Sequence, residues 1–329
     1  MKNKMLFWIN LFFCVLSCQG TTPADVPGGE DTPSGGQVKV AVKIMSSNVR
    51  NSASDTGSLL WSERRDGWMK MFTGEAPDIA GLQEVSSNEK VADLTGITGY
   101  GSYRMDYGRY DGPATEVTKK GKRIDGGTLI LWKESSYELL DSGCIWLGEV
   151  EDAPHNTPFG GTDTHCRTCI WVKLQNRASG QDVYFFNTHF PHTPKVYDEL
   201  GNRMWNTETR RQCAKQVLAL IKRTVTEGAV VYLTGDFNCS IEDDPAGRNG
   251  VRSLQSLTDW FWNAWTDAAK TDGGVSYNGF TDTERSRSAT IDYIFYKGAD
   301  ALQYRTLNQK LYGVDFISDH WPIVCTFNE

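Results

Sequence analysis

Side chains that can bind a cation or move a proton are concentrated at the ends of apolar runs in this sequence. Glu84 ends one such run, Asp236 follows a second, and His320 precedes a third. The complete set comprises Asn48, Glu84, His189, Asp236, Asn238, Asp292, Asp319 and His320. Glutamate and asparagine provide hard oxygen ligands suited to Mg²⁺ or Mn²⁺, and histidine exchanges protons near neutral pH. Because loops at strand ends present side chains to a cleft, this distribution indicates metal-assisted acid–base chemistry.

Each of these residues also has a structural interpretation when it is taken singly. Asn48 and Asn238 belong to a residue type that forms turns readily. Asp236 could bond to the backbone of its own loop, and His189 could be a hydrogen-bonded core histidine. The argument for chemistry therefore depends on the whole set and on its order along the chain.

The elements that must position this set are mostly short strands. Alternating or continuous apolar residues predict strands at residues 38–44, 78–83, 127–132, 169–174, 183–188, 230–234, 291–296 and 323–327. Helical spacing predicts helices over residues 207–225 and from near Ser62. We expect residues 260–265, which hold three tryptophans, to pack as a buried helix rather than to stack a base or touch lipid. Many strands and no G-x-G-x-x-G favour a mixed α/β sheet sandwich over a Rossmann fold.

Six short motifs contain most of the candidate residues. They are S-S-N-V-R at 46–50, G-L-Q-E-V at 81–85, N-T-H-F at 187–190, T-G-D-F-N at 234–238, I-D-Y-I-F at 291–295 and S-D-H-W-P-I at 318–323. In this order they resemble the endonuclease/exonuclease/phosphatase superfamily, which includes DNase I, and in particular a bacterial exported branch of it. The resemblance covers nearly all of residues 40–329. It implies a DNase I-like fold, a four-layered α/β sandwich of two packed mixed β-sheets flanked by helices, and an Mg²⁺- or Mn²⁺-dependent hydrolase of phosphoric ester bonds.

The resemblance also implies roles for individual residues. Glu84 matches the principal metal ligand, and Asn48 and Asp319 match residues that complete the coordination through side chains or water. His320 matches the general base. Asp292 matches the carboxylate that fixes the tautomer of that histidine and raises its basicity.

The remaining candidates are implied to bind the phosphate and the attacking water. Asp236 and Asn238 match residues that orient the nucleophilic water. His189 matches the second family histidine, which binds a phosphoryl oxygen or serves the leaving group as acid. Arg167 and Arg210 are further candidates for binding an anionic substrate, and surface or structural ion pairs are the alternative for both.

Composition limits the partners of the folded part. The chain has 329 residues, of which 39% are apolar, and this is enough to bury a core. The formal net charge is −7 and no block of five basic residues occurs, which disfavours a protein that coats nucleic acid electrostatically. A nuclease stays possible because a bound divalent cation can supply positive charge at one phosphate.

The N-terminal residues read as a targeting segment. Lys2 and Lys4 precede a run of twelve mostly apolar residues, which is short against the roughly 20 needed to span a bilayer. Residues 1–17 are therefore predicted to be a signal peptide of the lipoprotein type, with lipid attached at Cys18. An ordinary signal peptide with a chance cysteine is the alternative. Residues 18–37 are rich in Gly and Pro and predict a flexible tether, and residues 38–329 predict one catalytic domain.

These segments predict a location and partners. We expect an exported, membrane-anchored lipoprotein of the bacterial cell envelope, or otherwise a secreted or periplasmic protein, and a monomer. In such a compartment Cys166 and Cys169 could form a disulfide. The expected partners are the membrane, through the lipid anchor, and a phosphoester that is a small molecule, a lipid headgroup or a nucleic acid.

The reaction class is better defined than the substrate. The sequence lacks the Trp-Cys-Asp-Arg signature of inositol polyphosphate 5-phosphatases, and no lysine follows closely on Gln83-Glu84 as in abasic-site enzymes. The main hypothesis is a metal-dependent phosphoesterase that attacks a phosphodiester or phosphomonoester with activated water. A secreted endonuclease or exonuclease, a sphingomyelinase-like phospholipid hydrolase and a non-catalytic surface binding module are the alternatives.

Overall fold

The structure is a computed structural model that describes residues 39–105, 127–154, 158–161, 165–192, 200, 206–241 and 252–329. Residues 38–329 belong to one compact unit. The signal peptide, the lipid attachment at Cys18 and the tether lie outside the described residues and stay predictions. None of the helices in the described ranges has the length and hydropathy of a membrane span.

The first sheet has seven strands. In spatial order they are β10 (Lys270–Asp272), β12 (Asp300–Thr306), β13 (Ile323–Asn328), β1 (Ala41–Asn48), β2 (Ile79–Gln83), β4 (Leu129–Lys133) and β3 (Tyr100–Tyr103). The central strand β1 is parallel to β2 and antiparallel to β13. The last five residues of β1 are all buried, which is the pattern of a strand that is covered on both faces.

The second sheet has six strands. In spatial order they are β5 (Tyr137–Leu147), β6 (Arg167–Asn176), β7 (Asp182–His189), β8 (Val230–Asp236), β11 (Asp292–Lys297) and β9 (Trp262–Asn263). β7 and β8 are parallel, whereas β11 pairs with β8 antiparallel. Every residue of β8 is buried. Strands β7, β8 and β11 face β1 and β2 across the core.

Helices flank the two sheets. They are α1 (Trp61–Glu75), α2 (Asn88–Thr95), α3 (Thr207–Thr224), α4 (Gln255–Thr258) and α5 (Ala264–Asp267). Trp68 and Phe72 of α1 pack into a cluster with residues of the first sheet. Val217 and Ile221 of α3 pack into the core cluster that includes the second sheet. Burial of each such side chain contributes about 1.5–3 kcal/mol. The predicted α/β sandwich of two packed mixed sheets flanked by helices is confirmed.

A buried asparagine joins the two sheets near their strand ends. The amide of Asn187 in β7 donates to the carbonyl oxygens of Leu82 and Leu129 at 2.8 and 3.0 Å. Its Oδ1 accepts from Nε2 of Gln83 at 2.8 Å. Gly81 lies in the same region, and a Cβ there would come within 2.0 Å of a side-chain oxygen of the facing sheet. The close backbone approach therefore requires glycine and fixes the two sheets relative to each other.

Several strands are not predicted from the sequence pattern. β5, β9, β10 and β12 are of this kind. The middle of β5 is mostly exposed because β5 lies at the edge of its sheet. The expectation of a buried helix at residues 260–265 is wrong for Trp262, which is 63% exposed on the edge strand β9. Phe261 and Trp265 on either side of it are buried.

No disulfide joins cysteines of the described ranges, so the Cys166–Cys169 pairing considered above is not formed. Burial raises the pKa of Cys325 to about 12 and raises that of Cys169 further. A thiol is inert while it stays protonated, so both of these buried cysteines have a packing role.

Residues from the two ends of the described unit pair with each other. The backbone nitrogen of Val40 donates to the carbonyl oxygen of Glu329 at 3.2 Å, and Glu329 donates back to Val40 at 3.0 Å. This pair lies beyond the first residue of β1. It is therefore at the opposite end of that strand from Asn48.

Burial of Glu329 makes stability depend on pH. Burial raises the pKa of this carboxyl from 4.5 to about 7, although Tyr232 donates a hydrogen bond to it at 2.9 Å. Between these pH values the folded chain keeps a proton that the unfolded chain releases, so the free energy of unfolding falls as the pH rises. We expect Glu329→Gln to be more stable than the wild type by about 1–3 kcal/mol at pH 8 and nearly equal to it at pH 4. Urea unfolding at several pH values measures this difference.

The exposed Glu134→Gln is the matched control, and it should leave the free energy of unfolding nearly unchanged at both pH values. A stability difference for Glu329→Gln that does not vary with pH would contradict the assignment.

Candidate active site

The topology brings the candidate residues of the first sheet to one edge. Because β1 and β2 are parallel, Asn48 at the end of β1 and Glu84 just after β2 lie side by side. β13 runs antiparallel to β1, so the segment that precedes it, with Asp319 and His320, lies at the same edge.

The second sheet contributes its residues to the same edge. His189 ends β7 and Asp236 ends the parallel strand β8, and the two residues are direct partners in the register. Asp292 begins β11, which is antiparallel to β8, and it is the register partner of Asp236 on the other side. His189, Asp236 and Asp292 therefore lie in a row across three strands, and all three are buried.

Asn48 connects the two sheets at this edge. Its Nδ2 lies 3.0 Å from Oε1 of Glu84 and 3.0 Å from Oδ2 of Asp236, and it donates to both. Its Oδ1 accepts from the backbone nitrogen of Arg50 at 2.9 Å. Asn48 thus lies where the sequence predicts, but its amide nitrogen rather than its oxygen faces the carboxylates.

His320 and Asp292 form a buried pair. Nδ1 of His320 lies 2.8 Å from Oδ2 of Asp292, close enough for Nδ1–H to donate to the carboxylate. The other ring nitrogen, Nε2, lies 3.7 Å from Oδ2 of Asp236. Burial opposes the charged form of this ring, but the carboxylates of Asp292, Asp236 and Asp319 outweigh it and raise the pKa of His320 well above its usual range. These carboxylates therefore favour the protonated form of the ring.

Asp236 lies at the centre of the cluster. Nε2 of His189 lies 3.3 Å from Oδ2 of Asp236, the same oxygen that faces His320. Burial and the negative charge of Asp292 raise the pKa of Asp236 to about 7, although His320 opposes this shift. A carboxyl group with this pKa can both accept and release a proton near neutral pH.

Asn238 contacts the ring of His189 directly. Its Nδ2 donates to the Phe190 carbonyl oxygen at 2.9 Å and lies 3.0 Å from Nε2 of His189. Its backbone nitrogen donates to Oδ1 of Asp236 at 2.9 Å. The three residues predicted to bind water and phosphate are therefore in mutual contact.

The backbone is strained at this site. Arg50, Glu84 and Asn238 have φ values of 59°, 63° and 53°, in the left-handed region that residues other than glycine seldom adopt. Such conformations cost of order 1–3 kcal/mol each and are found mainly where function requires them.

Arg50 was not assigned a role from the sequence, although it ends the S-S-N-V-R motif. Its guanidinium donates to Oδ2 of Asp319 at 3.0 Å and to Oδ1 of Asp55 at 3.1 Å. Burial raises the pKa of Asp319, and the nearby cations His320 and Arg50 oppose this shift. Asp319 is thus an ion-paired carboxylate at the border of the cluster.

Asn51 and Lys90 were also missed. The backbone nitrogen of Asn51 donates to Oε2 of Glu84, and Nζ of Lys90 donates to Oδ1 of Asn51 at 2.8 Å. A lysine near the Gln83-Glu84 pair was sought in the residues that follow directly. The first turn of α2 instead brings Lys90 back toward the site from six residues further along.

The two arginines proposed as substrate ligands are both buried. Arg210 is 3% exposed, and its Nε donates to the Pro191 carbonyl oxygen at 2.9 Å, which ties α3 to the loop after His189. Arg167 is 7% exposed at the start of β6, where it pairs with Leu147 of β5. Contact of either arginine with a substrate stays a prediction.

The donor set fits a hard divalent cation. Ligand atoms of Glu84, His189 and Asp236 lie within 4.8 Å of one another, and so do those of Asp236, Asp292 and His320. Burial, and then the negative charge of Asp292, raise the pKa of Asp236, and a cation bound beside these carboxylates would offset their repulsion. Predominantly oxygen ligands favour Mg²⁺ or Mn²⁺ over thiolate-binding metals.

The two packed mixed sheets flanked by helices form a DNase I-like sandwich, with a carboxylate cluster and a histidine–aspartate pair at one edge. The chain belongs to the endonuclease/exonuclease/phosphatase family, whose sequence model matches residues 45–320. A comparison with curated protein sequences finds no match.

Solved structures support the fold. An endonuclease/exonuclease/phosphatase from Bacteroides vulgatus is 22% identical, with a TM-score of 0.67 over 88% of this chain and 99% of that one. The mannosyl-6-phosphatase Bt3783 of Bacteroides thetaiotaomicron is 21% identical, with a TM-score of 0.66 over 87% and 99%. TDP2 from D. rerio, complexed with a single-strand DNA product, is 19% identical, with a TM-score of 0.60 over 88% and 99%.

Proposed function

We propose that this protein is a divalent-metal-dependent hydrolase in which water attacks the phosphorus of a small phosphodiester or phosphomonoester. The observation that supports this most is the convergence of Glu84, Asp236 and the Asp292–His320 pair at one edge. Glu84 would hold Mg²⁺ or Mn²⁺, and Asn48 would keep its carboxylate beside that of Asp236. When bound, the cation supplies positive charge to the phosphoryl oxygens. Asp319 would take part through Oδ1, since its Oδ2 accepts from Arg50.

The acid–base roles follow from the charge states. The role of general base that the resemblance implies for His320 requires an unprotonated ring, whereas the raised pKa favours the imidazolium. We therefore propose that Asp236 accepts the proton of the attacking water. His320, as the imidazolium, stabilises the negative charge that develops beside it. His189, held by Asn238, binds a phosphoryl oxygen or the leaving group.

The charges around the site favour a small substrate. Among the described residues, Arg50 is ion-paired to two aspartates, Arg64 is buried against backbone carbonyl oxygens, and Lys90 bonds to Asn51. A nucleic acid strand needs cations that are available along its phosphates. A small phosphoester needs charge at one phosphate only, which agrees with the net charge of −7.

Hydrolysis of a substrate panel tests the proposal. The panel is bis(p-nitrophenyl) phosphate, p-nitrophenyl phosphate, plasmid DNA, RNA and sphingomyelin, each with Mg²⁺, Mn²⁺ or EDTA. Turnover of a nitrophenyl ester that EDTA abolishes would support the proposal. Faster cleavage of DNA, RNA or sphingomyelin would replace the small substrate by that class, and absence of metal-dependent turnover on the whole panel would favour the binding module.

Asp292→Asn is expected to lower kcat by about 10²- to 10⁴-fold while the fold is kept. The amide preserves the shape, but it removes the negative charge that holds the imidazolium of His320 at 2.8 Å. Steady-state kinetics together with circular dichroism measure the two effects. An unchanged kcat would remove Asp292 from the mechanism.

A further inference from the structure

Lys90 is a buried lysine in the first turn of α2. Its backbone nitrogen donates to the Ser87 side chain, which caps the helix, and its side chain is only 4% exposed. Burial of an ammonium group is costly unless the group is hydrogen-bonded or paired with a charge. The buried ammonium group of Lys90 therefore requires a hydrogen-bond acceptor.

That partner is Asn51. Nζ of Lys90 donates to Oδ1 of Asn51 at 2.8 Å, and the ring of Trp61 lies 6.0 Å from Nζ. Asn51 in turn donates its backbone N–H to Oε2 of Glu84. A continuous path of two hydrogen bonds thus joins the buried ammonium to the carboxylate that is the central ligand candidate.

The surrounding charges agree with this path. Burial and the nearby cation Arg64 disfavour the charged form of Lys90 and lower its pKa to about 8, while Glu84, Asp55 and Glu89 favour it. No carboxylate among the described residues forms an ion pair with Nζ. The hydrogen bond to Asn51 is therefore the direct polar contact of this group within the described part of the chain.

The carboxylate of Glu84 also depends on hydrogen bonds to fix its position. It stands in the left-handed region with φ 63°, immediately after β2, and its two oxygens are fixed separately. Oε1 accepts from Asn48 and Oε2 accepts from Asn51. The Asn48 side is anchored in strand β1, whereas Asn51 is an exposed residue beyond the end of that strand. Its side chain ties it to α2 by accepting from Nζ of Lys90.

We propose that Lys90 is a positioning residue that, through Asn51, fixes the carboxylate of Glu84 and thereby sets the affinity of the site for a divalent cation. This inference rests on the proposed function. It concerns the metal-binding step and predicts a change in cation affinity rather than in the chemistry of turnover.

The test is Mn²⁺ binding followed by electron paramagnetic resonance in Lys90→Met, Asn51→Ala and the double variant. We expect each single variant to bind Mn²⁺ about 5- to 20-fold more weakly than the wild type. The affinity of the double variant should equal that of the single variant with the lower affinity, because both changes break the same path. With saturating Mn²⁺, kcat should return to within about threefold of the wild type. Asn51 is exposed, so Asn51→Ala keeps the test valid if Lys90→Met does not fold.

Lys43→Met and Glu89→Gln are the matched controls. Lys43 is a partly buried lysine near the start of β1 that pairs with Glu75, and Glu89 is the exposed neighbour of Lys90. Both variants should bind Mn²⁺ as the wild type does. Unchanged Mn²⁺ affinity in folded Lys90→Met, or additive losses in the double variant, would overturn the positioning role alone. A wild-type protein that binds no Mn²⁺ would overturn the proposed function.

Discussion

Replacement of His320 by alanine is expected to lower kcat by about a thousandfold or more and to leave the affinity for Mn²⁺ within about threefold of the wild type. The ring is buried, is held by Asp292 at 2.8 Å and presents Nε2 toward Asp236. Its loss removes the cation that faces the developing charge and leaves the pair of Asp236 and Asp292 uncompensated. Steady-state kinetics with saturating metal, beside a Mn²⁺ titration, separate the two effects.

His192→Ala is the matched control for this result. His192 lies in the loop after β7. Its ring centroid is 5.6 Å from that of His165, and its ring is outside the acidic cluster. Its removal should change kcat by less than about threefold. If kcat of His320→Ala stayed within tenfold of the wild type, His320 would have no part in the chemistry.

Replacement of Glu84 by glutamine should weaken Mn²⁺ binding by about a hundredfold or more, with a corresponding loss of activity at ordinary metal concentrations. The change removes one negative charge from a site that attracts a cation by charge. It also replaces one of the two accepting oxygens by an amide NH₂, which then faces a group that already donates, either Nδ2 of Asn48 or the backbone nitrogen of Asn51. The carboxylate therefore cannot be replaced by its isostere without a donor facing a donor.

Glu89→Gln, on the exposed face of α2, removes the same charge five residues away and should bind Mn²⁺ normally. The informative comparison is between the two site variants. If His320→Ala and Glu84→Gln lost metal affinity equally, the division between an acid–base residue and a metal ligand would be wrong.

The row of polar residues at strand ends was predictable from the sequence for a simple reason. β2, β7 and β8 are buried on both faces and contain short apolar runs, and residues 38–44 alternate apolar with polar residues, so the end of each pattern is easily recognised. Strands with many exposed side chains were missed for the opposite reason. β5 and β12 pair with a neighbour through their backbones while many of their side chains face solvent, and no apolar pattern marks such strands.

Within the site, the sequence indicated residue types but not their orientation or partners. The direction of the Asn48 amide is set by Arg50, whose backbone nitrogen binds Oδ1. The charged form of His320 is favoured by its neighbour Asp319 and by Asp236 and Asp292, which come from distant parts of the chain. Lys90 reaches the site only because Ser87 starts a helix there. Each of these facts depends on tertiary contacts that spacing along the chain does not encode.

The pairing of Val40 with Glu329 has a practical consequence for handling the protein. The eight residues of β1 separate this pair by about 25 Å from Asn48 and the edge of the sheets that holds the candidate active site. A fusion partner, a surface linker or an affinity tag joined at either of these residues would therefore lie away from the candidate active site. Because the two residues are neighbours, a short peptide could also join them. New termini could then be opened in an exposed loop, and the circularly permuted protein would keep the candidate active site unchanged.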